Sequence, residues 1–229
     1  MTPFEVLDEL KIRLEDHSIV QQDFENVYCI HQNELSTLVP ETLFDENHLA
    51  DYLKFNAKIL KSDFLNYDTV ESSKSVNVYV PLVNVNNYIF DSFGSFVYKH
   101  ASTVLIDAVL NLPTTDTDTF VGVHVGKNHF EMILCEKRKL RFYNTFEYTS
   151  TEDFIYYILF SVEQLELDPE KINFRLFGNI DEKDDLFEMV YTYIRHVEII
   201  KLNTAYRFAD SISTEDKKQS FIVLNSFDA

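Results

Sequence analysis

Residues 120–146 decide the fold. They read Phe120-Val121-Gly122-Val123-His124-Val125, then Gly126-Lys127-Asn128, then His129-Phe130-Glu131-Met132-Ile133-Leu134-Cys135. A short polar stretch follows, and then Lys139-Leu140-Arg141-Phe142-Tyr143-Asn144-Thr145-Phe146. Each run is rich in β-branched and aromatic residues and is bounded by turn residues, which is the pattern of a strand. The connections are too short for a crossover, so the three strands form an antiparallel meander.

Downstream, Ser150-Thr151-Glu152-Asp153 reads as the cap of a helix carrying Phe154, Ile158, Val162 and Leu165, with Asp168-Pro169 as its end. Ile172 to Phe177 is predicted as a strand, Asp184 to Arg195 as a helix, and Val197 to Leu202 as a last strand. Three antiparallel strands, helix, strand, helix, strand is the order of a ribonuclease H-like lobe. Helical crossovers then force the later strands parallel to one another and to one edge of the meander.

Upstream, Thr2-Pro3-Phe4-Glu5 is a capping box, and Leu7, Leu10 and Leu14 continue it as an amphipathic helix over residues 3–16. Asn26 to Ile30 and Thr37 to Val39 read as short strands, and Asp45 caps a second helix with Leu49, Tyr52 and Leu53. Val76 to Val80 alternates as a strand, Asn84 to Phe93 is helical up to Gly94, Phe96 to Tyr98 is extended, and Ser102 opens a helix through Leu110. The run Thr114-Thr115-Asp116-Thr117-Asp118-Thr119 has no apolar residue and reads as a linker. The expected fold is therefore α/β, with two tandem ribonuclease H-like lobes in an actin-like arrangement, the first lacking its opening strands. Residues 1–113 are the incomplete first lobe, 114–119 the linker, 120–204 the second lobe, and 205–229 a tail packing on the lobes.

Of 229 residues, 45% are hydrophobic and 25% charged, with 20 Phe, 13 Tyr and no Trp, a composition that supports a globular core. Four glycines and five prolines exclude a collagen-like or linker-like chain, and leave few routes to a glycine-rich phosphate loop. The 38 acidic residues outnumber 20 basic ones, giving a net charge of −18 that repels nucleic-acid phosphates and anionic lipid. The densest basic run, Glu136-Lys137-Arg138-Lys139-Leu140-Arg141, reads as a polar hairpin turn. Neither direct nucleic-acid binding nor membrane association is expected. Cys29 and Cys135 sit inside apolar runs and read as core residues of a reducing compartment. With no signal peptide and no apolar stretch near 20 residues, a cytoplasmic location is expected.

Phe142-Tyr143-Asn144-Thr145-Phe146-Glu147-Tyr148 with Glu152-Asp153-Phe154-Ile155-Tyr156-Tyr157, and Thr37-Leu38-Val39-Pro40 with Leu43-Phe44, resemble domain-of-unknown-function family 3822. These are uncharacterised bacterial proteins with an actin-like ATPase fold, and the resemblance covers nearly all of the chain. It implies two phosphate hairpins of the Asp-x-Gly type, whose carboxylate positions Mg²⁺. The matching turn here is His124-Val125-Gly126-Lys127, with His in place of the carboxylate. The adenosine-side Gly-Gly turn is matched by Phe177-Gly178-Asn179, with one glycine. The degenerate loop positions are thus His124, Gly126, Lys127 and Gly178, and no cofactor is expected. The resemblance also implies, by association only, a partner in RNA modification, since members of that family are often encoded beside a methyltransferase of ribosomal RNA.

The other chemistries of this fold also lack their residues. Two-metal nuclease work needs converging carboxylates, and Phe120 to Val125 and Phe174 to Phe177 carry none, with Glu131 alone on the adjacent strand. His124 and His129 flank one turn and read as a solvent-facing pair; two ligands fall short of a metal site. No nucleophile motif appears. Tyr143, Asn144 and Tyr156, at a strand-to-helix corner, are the candidate interaction surface, while Phe146 and Tyr157 pack the helix on the sheet. The functional expectation is a non-catalytic interaction module with an unknown protein partner; the alternative is a weak nucleotide-binding ATPase.

Overall fold

The N-terminal capping box forms as predicted. Glu5 N–H donates to Thr2 Oγ1 at 3.3 Å and Thr2 N–H to Glu5 Oε2 at 2.6 Å, opening α1 (Pro3–Asp16). The computed structural model describes residues 2–16, 19–113, 115, 117–200, 212, 213, 216, 218 and 220–227. The chain divides into two units, Met1–Val104 and Leu105–Ala229.

In the first unit, β1 (Tyr28–His31) is followed by β2 (Ser36–Pro40), α2 (Leu49–Leu53), β3 (Asn66–Val70), β4 (Ser75–Tyr79), α3 (Val83–Phe93) and β5 (Val97–His100). β1 pairs parallel with β5, and β4 pairs antiparallel with both β2 and β3. Val39, Leu53, Val76, Val78 and Val80 form the core around that three-stranded sheet. Asp45 does cap, accepting from Asn47 N–H, but what it opens is a 3₁₀ turn (Glu46–His48) ahead of the five-residue α2. β3 is an element the sequence pattern does not signal, because Asp68 interrupts its apolar alternation. The structure accommodates that carboxylate with donors: His100 N–H at 2.8 Å, Thr103 Oγ1–H at 2.8 Å and Tyr79 O–H at 3.1 Å. Gly94 ends α3 at φ 80°, as its glycine predicts.

The division between units falls within α4 (Ala101–Leu110). Of the sequence-predicted linker 114–119, Thr114 and Asp116 lie outside the described residues. In the second unit β6 (Thr119–Val125), β7 (His129–Glu136) and β8 (Lys139–Glu147) form the predicted antiparallel meander. Lys137 (φ 51°) and Arg138 (φ 60°) make the tight hairpin between β7 and β8 without a glycine. α5 (Thr151–Gln164) starts where Ser150 Oγ accepts from Asp153 N–H at 3.1 Å. It ends earlier than Asp168. Glu166 turns left-handed at φ 54°, and the Leu167 N–H reaches back to the Val162 carbonyl at 2.9 Å. This is a Schellman stop built on a residue other than glycine, so the sequence carries no mark of it.

β9 (Asn173–Gly178), α6 (Asp185–Tyr193) and β10 (His196–Ile199) complete a five-stranded sheet of order β10-β9-β6-β7-β8. β9 runs parallel to β6 and β10 parallel to β9, as the crossovers require. Residues 201 and 202, in the predicted last strand, and 205–211 of the predicted tail lie outside the described residues. A short helix α7 (Phe221–Asn225) follows within the same unit. One face of the sheet carries Val121, Val123, Val125, Phe130 and Met132 against Phe154, Ile158 and Val162 of α5. On the other face the alternate residues Phe120, Gly122 and His124 are equally enclosed, so β6 and β7 are buried on both sides.

Candidate functional site

The turn after β6 carries the residues in question. Because Val125 pairs with Phe130, the next rung places His124 directly opposite Glu131. On its other side His124 is level with Phe177 of parallel β9. Cross-strand neighbours on one face of an antiparallel pair lie within side-chain reach, and His124 Nδ1 stands 2.8 Å from Glu131 Oε2. His129 Nε2 lies 3.5 Å from Glu131 Oε1. The carboxylate thus faces an imidazole on each oxygen, at 4% exposure for Glu131 and 6% for His124. The two histidines therefore do not form the solvent-facing pair expected from the sequence: His124 is buried and both rings turn toward Glu131.

Burial alone would raise the Glu131 carboxyl, but the hydrogen bonds and charges of His124 and His129 bring it down to about 2. The same contact raises the His129 imidazole, through its hydrogen bond to Glu131 first and against the desolvation that would lower it.

α7 packs beside His124. The Phe221 ring is 4% exposed and lies 4.6 Å from the Phe177 centroid and 6.0 Å from His124. The two glycines are held by packing. A Cβ on Gly126 would sit 2.5 Å from His129 Cε1. At Gly178, φ is 89°, and a Cβ would lie 2.5 Å from the Val125 carbonyl oxygen and 2.9 Å from His124 Cδ2. Asn179 N–H closes this turn on the Val125 carbonyl at 2.7 Å. Lys127 is exposed at the tip of the β6–β7 turn. As a donor set the cluster does not fit a magnesium–phosphate group. His124 is not a hard oxygen ligand, the Glu131 carboxylate is engaged by two imidazoles, and the Phe221 ring packs beside His124. Among the described residues no group of three or more His, Cys, Asp or Glu is arranged to hold a metal ion.

A groove of about 820 Å³ opens between the starts of α5 and α6, lined by residues including Tyr148, Ser150, Asn179, Asp181, Asp184 and Lys218. Its polar groups are engaged with one another: Asp184 Oδ2 accepts from Asp181 N–H at 2.6 Å and Lys218 pairs with Asp181.

Of the predicted interaction residues, Tyr156 is 61% exposed and stacks on Phe160, itself 47% exposed, one turn along α5. Asn144 is exposed, and its Oδ1 accepts from Thr145 N–H at 3.0 Å. Tyr143 is half-buried on β8, its hydroxyl 3.2 Å from Thr145 Oγ1. Phe146 and Tyr157 stack at 5.3 Å between strand and helix, the packing role expected of them. Sequence reasoning missed the His124–Glu131 pair. Its signal was available, since counting rungs across the turn from Val125 and Phe130 puts the two residues opposite each other.

Among solved structures the chain is similar to a protein of Bacteroides thetaiotaomicron VPI-5482 with an actin-like ATPase fold and unknown function. Identity is 21%, TM-score 0.77, and the match covers 85% of this chain and 76% of that one. A PilM–PilN type IV pilus biogenesis complex matches at 12% identity and TM-score 0.49, over 86% of this chain and 75% of that one. An AlfA filament bound to AMPPNP matches at 12% identity and TM-score 0.36, over 64% and 56%. The chain has the actin-like ATPase fold of the first of these. No curated protein matches it significantly. No helix among the described residues is long and apolar enough to cross a membrane. Residues 1–197 match the family described as Protein of unknown function (DUF3822), and the chain belongs to that family.

Proposed function

We propose that the protein is a non-catalytic interaction module on an actin-like fold, in which His124 near the end of β6 and Glu131 on β7 belong to the core. The observation that carries this reading is the His124–Glu131 pair, with Phe221 beside His124. A catalytic carboxylate must reach a metal or a water, whereas this one is 4% exposed and faces an imidazole on each oxygen. The exposed Tyr156 and Phe160, stacked on α5, and the exposed Asn144 of β8 are the residues offered to a protein partner. A link to ribosomal RNA modification through that partner rests on the family resemblance alone. Residues 1–113 and 120–204 are read as two ribonuclease H-like lobes.

The test is thermal unfolding and phosphate release with ATP and Mg²⁺. A ligand at about 100 times its Kd would add about 2.7 kcal/mol; we expect no shift and no turnover. Mg²⁺-dependent hydrolysis by pure protein, weakened by Lys127→Ala at the exposed turn, would establish the alternative of a weak nucleotide-binding ATPase.

A further inference from the structure

The first unit carries a surface that its own fold does not use. Between α2 and β3 the chain runs through Lys54-Phe55-Asn56-Ala57-Lys58-Ile59-Leu60-Lys61-Ser62-Asp63-Phe64. This segment is pinned from inside. Ala57 N–H bonds the Leu53 carbonyl at 2.8 Å, Asn56 Nδ2 donates to Thr37 Oγ1 at 2.9 Å, and Ile59 packs on the small core. Leu60 and Asp63 close a turn, with Leu60 N–H on Asp63 Oδ2 at 2.8 Å and Asp63 N–H on the Leu60 carbonyl at 3.1 Å. Held this way, the segment leaves Phe55 81%, Leu60 63% and Phe64 53% exposed. Single exposed apolar residues are ordinary, whereas three large ones within ten positions of one hydrogen-bonded loop are a concentration that the core does not account for.

The charge of the patch is opposite to that of the protein. In a chain of net charge −18, this loop holds three lysines against one aspartate. Lys54 is tied to Asp51, but Lys58 and Lys61 are exposed and make no ion pair among the described residues. We propose that this loop is a docking site for an acidic, apolar protein segment, whose carboxylates meet Lys58 and Lys61 while its apolar side chains cover Phe55, Leu60 and Phe64. An anionic lipid surface fits less well. Electrostatic recruitment there takes clusters of about 4–8 basic residues, and the rest of this chain repels it. The proposal goes beyond the interaction-module reading: it assigns a second surface, in the first unit, and the chemistry of what that surface takes.

The absence of Trp from the chain makes the test site-specific. Phe55→Trp introduces the sole indole, and its emission is followed on titration with three probes. They are a twelve-residue amphipathic peptide of Glu, Leu and Phe, the same peptide with Lys for Glu, and phosphatidylserine vesicles. The expected result is a blue shift with the acidic peptide alone. It should weaken at least tenfold on raising salt from 50 to 500 mM, and again with Lys58→Glu and Lys61→Glu together, in a protein of unchanged circular dichroism. No shift with the acidic peptide, an equal response to the basic one, or a response to vesicles alone overturns the proposal. The two readings fail separately. ATP turnover by a protein whose loop binds the acidic peptide ends the non-catalytic reading and keeps the docking site, whereas a catalytically silent protein with a silent loop ends the docking site alone.

Discussion

His124 and Glu131 face each other across the β6–β7 ladder at 2.8 Å, both within a few per cent of full burial. Removing His124 takes the hydrogen bond from Glu131 Oε2 inside the core while His129 stays on Oε1, and a buried acceptor left unsatisfied costs about 1–3 kcal/mol, or more where it is charged, whereas replacing both residues with apolar ones costs far less. His124→Leu is therefore expected to destabilise strongly, and His124→Leu with Glu131→Met to recover much of the loss. Urea unfolding of His124→Leu, Glu131→Met and the double variant measures this. A double variant as unstable as the sum of its singles would show that the two residues do not act as a pair.

The same cluster sets a pH profile. Glu131 falls from an ordinary 4.5 to about 2 in the folded chain, so the stability it contributes is present above pH 4.5 and is lost as pH falls toward 2. At 1.36 kcal/mol per unit this is on the order of 3 kcal/mol. His129 is raised above its ordinary 6.5, so its contribution is complete below pH 6.5 and is lost as pH rises through the folded value. The contribution of the cluster is greatest between about pH 4.5 and 6.5. His129→Gln should flatten the alkaline limb. Glu131→Gln should flatten both, because it also removes what raises His129. Urea midpoints from pH 3 to 9 check this, and an unchanged alkaline limb in His129→Gln would refute it.

The meander was legible because apolar runs and short turns permit one solution, and the crossovers then order β9 and β10. β3 was hidden by Asp68, since a buried carboxylate in a strand becomes sensible only once His100 and Thr103 are seen donating to it. The end of α5 was hidden because Glu166 takes a conformation usually given to glycine. At the candidate site the residue types were read correctly and their environment was not. Periodicity separates the two faces of β6, but no local pattern says that α7, about a hundred residues later in the chain, packs beside His124.

Gly178 and Gly94 separate backbone strain from steric collision. Both have positive φ, yet a Cβ on Gly94 meets nothing within 4 Å, while one on Gly178 meets the Val125 carbonyl oxygen at 2.5 Å. Gly94→Ala is expected to cost about 1–2 kcal/mol, the price of a side chain in the left-handed region. Gly178→Ala should cost more, because β6 and β9 must separate or the His124 ring must move. Thermal unfolding of the two variants compares them directly, and equal losses would refute the collision.

The junction of β8 and α5 separates core from surface by rings one or two residues apart. Phe154 is fully enclosed, with its ring 4.7 Å from Phe130 and 5.2 Å from Tyr148, while Tyr156 is 61% exposed. Phe154→Ala removes a buried ring from a position where strand and helix cannot close over the gap, so it should cost about 3–5 kcal/mol in lost transfer energy and cavity. Phe146 is only half-buried between Phe130 and Tyr157, and its truncation should cost less. Tyr156→Ala loses its stacking on Phe160 and little else, so it should remain within about 1 kcal/mol of the parent protein. That difference makes Tyr156 the informative position. A Tyr156→Ala protein with parental urea stability that no longer co-purifies with its native partner would assign the α5 surface to recognition. Partner capture unchanged in Tyr156→Ala and Phe160→Ala together would remove this surface from the proposal.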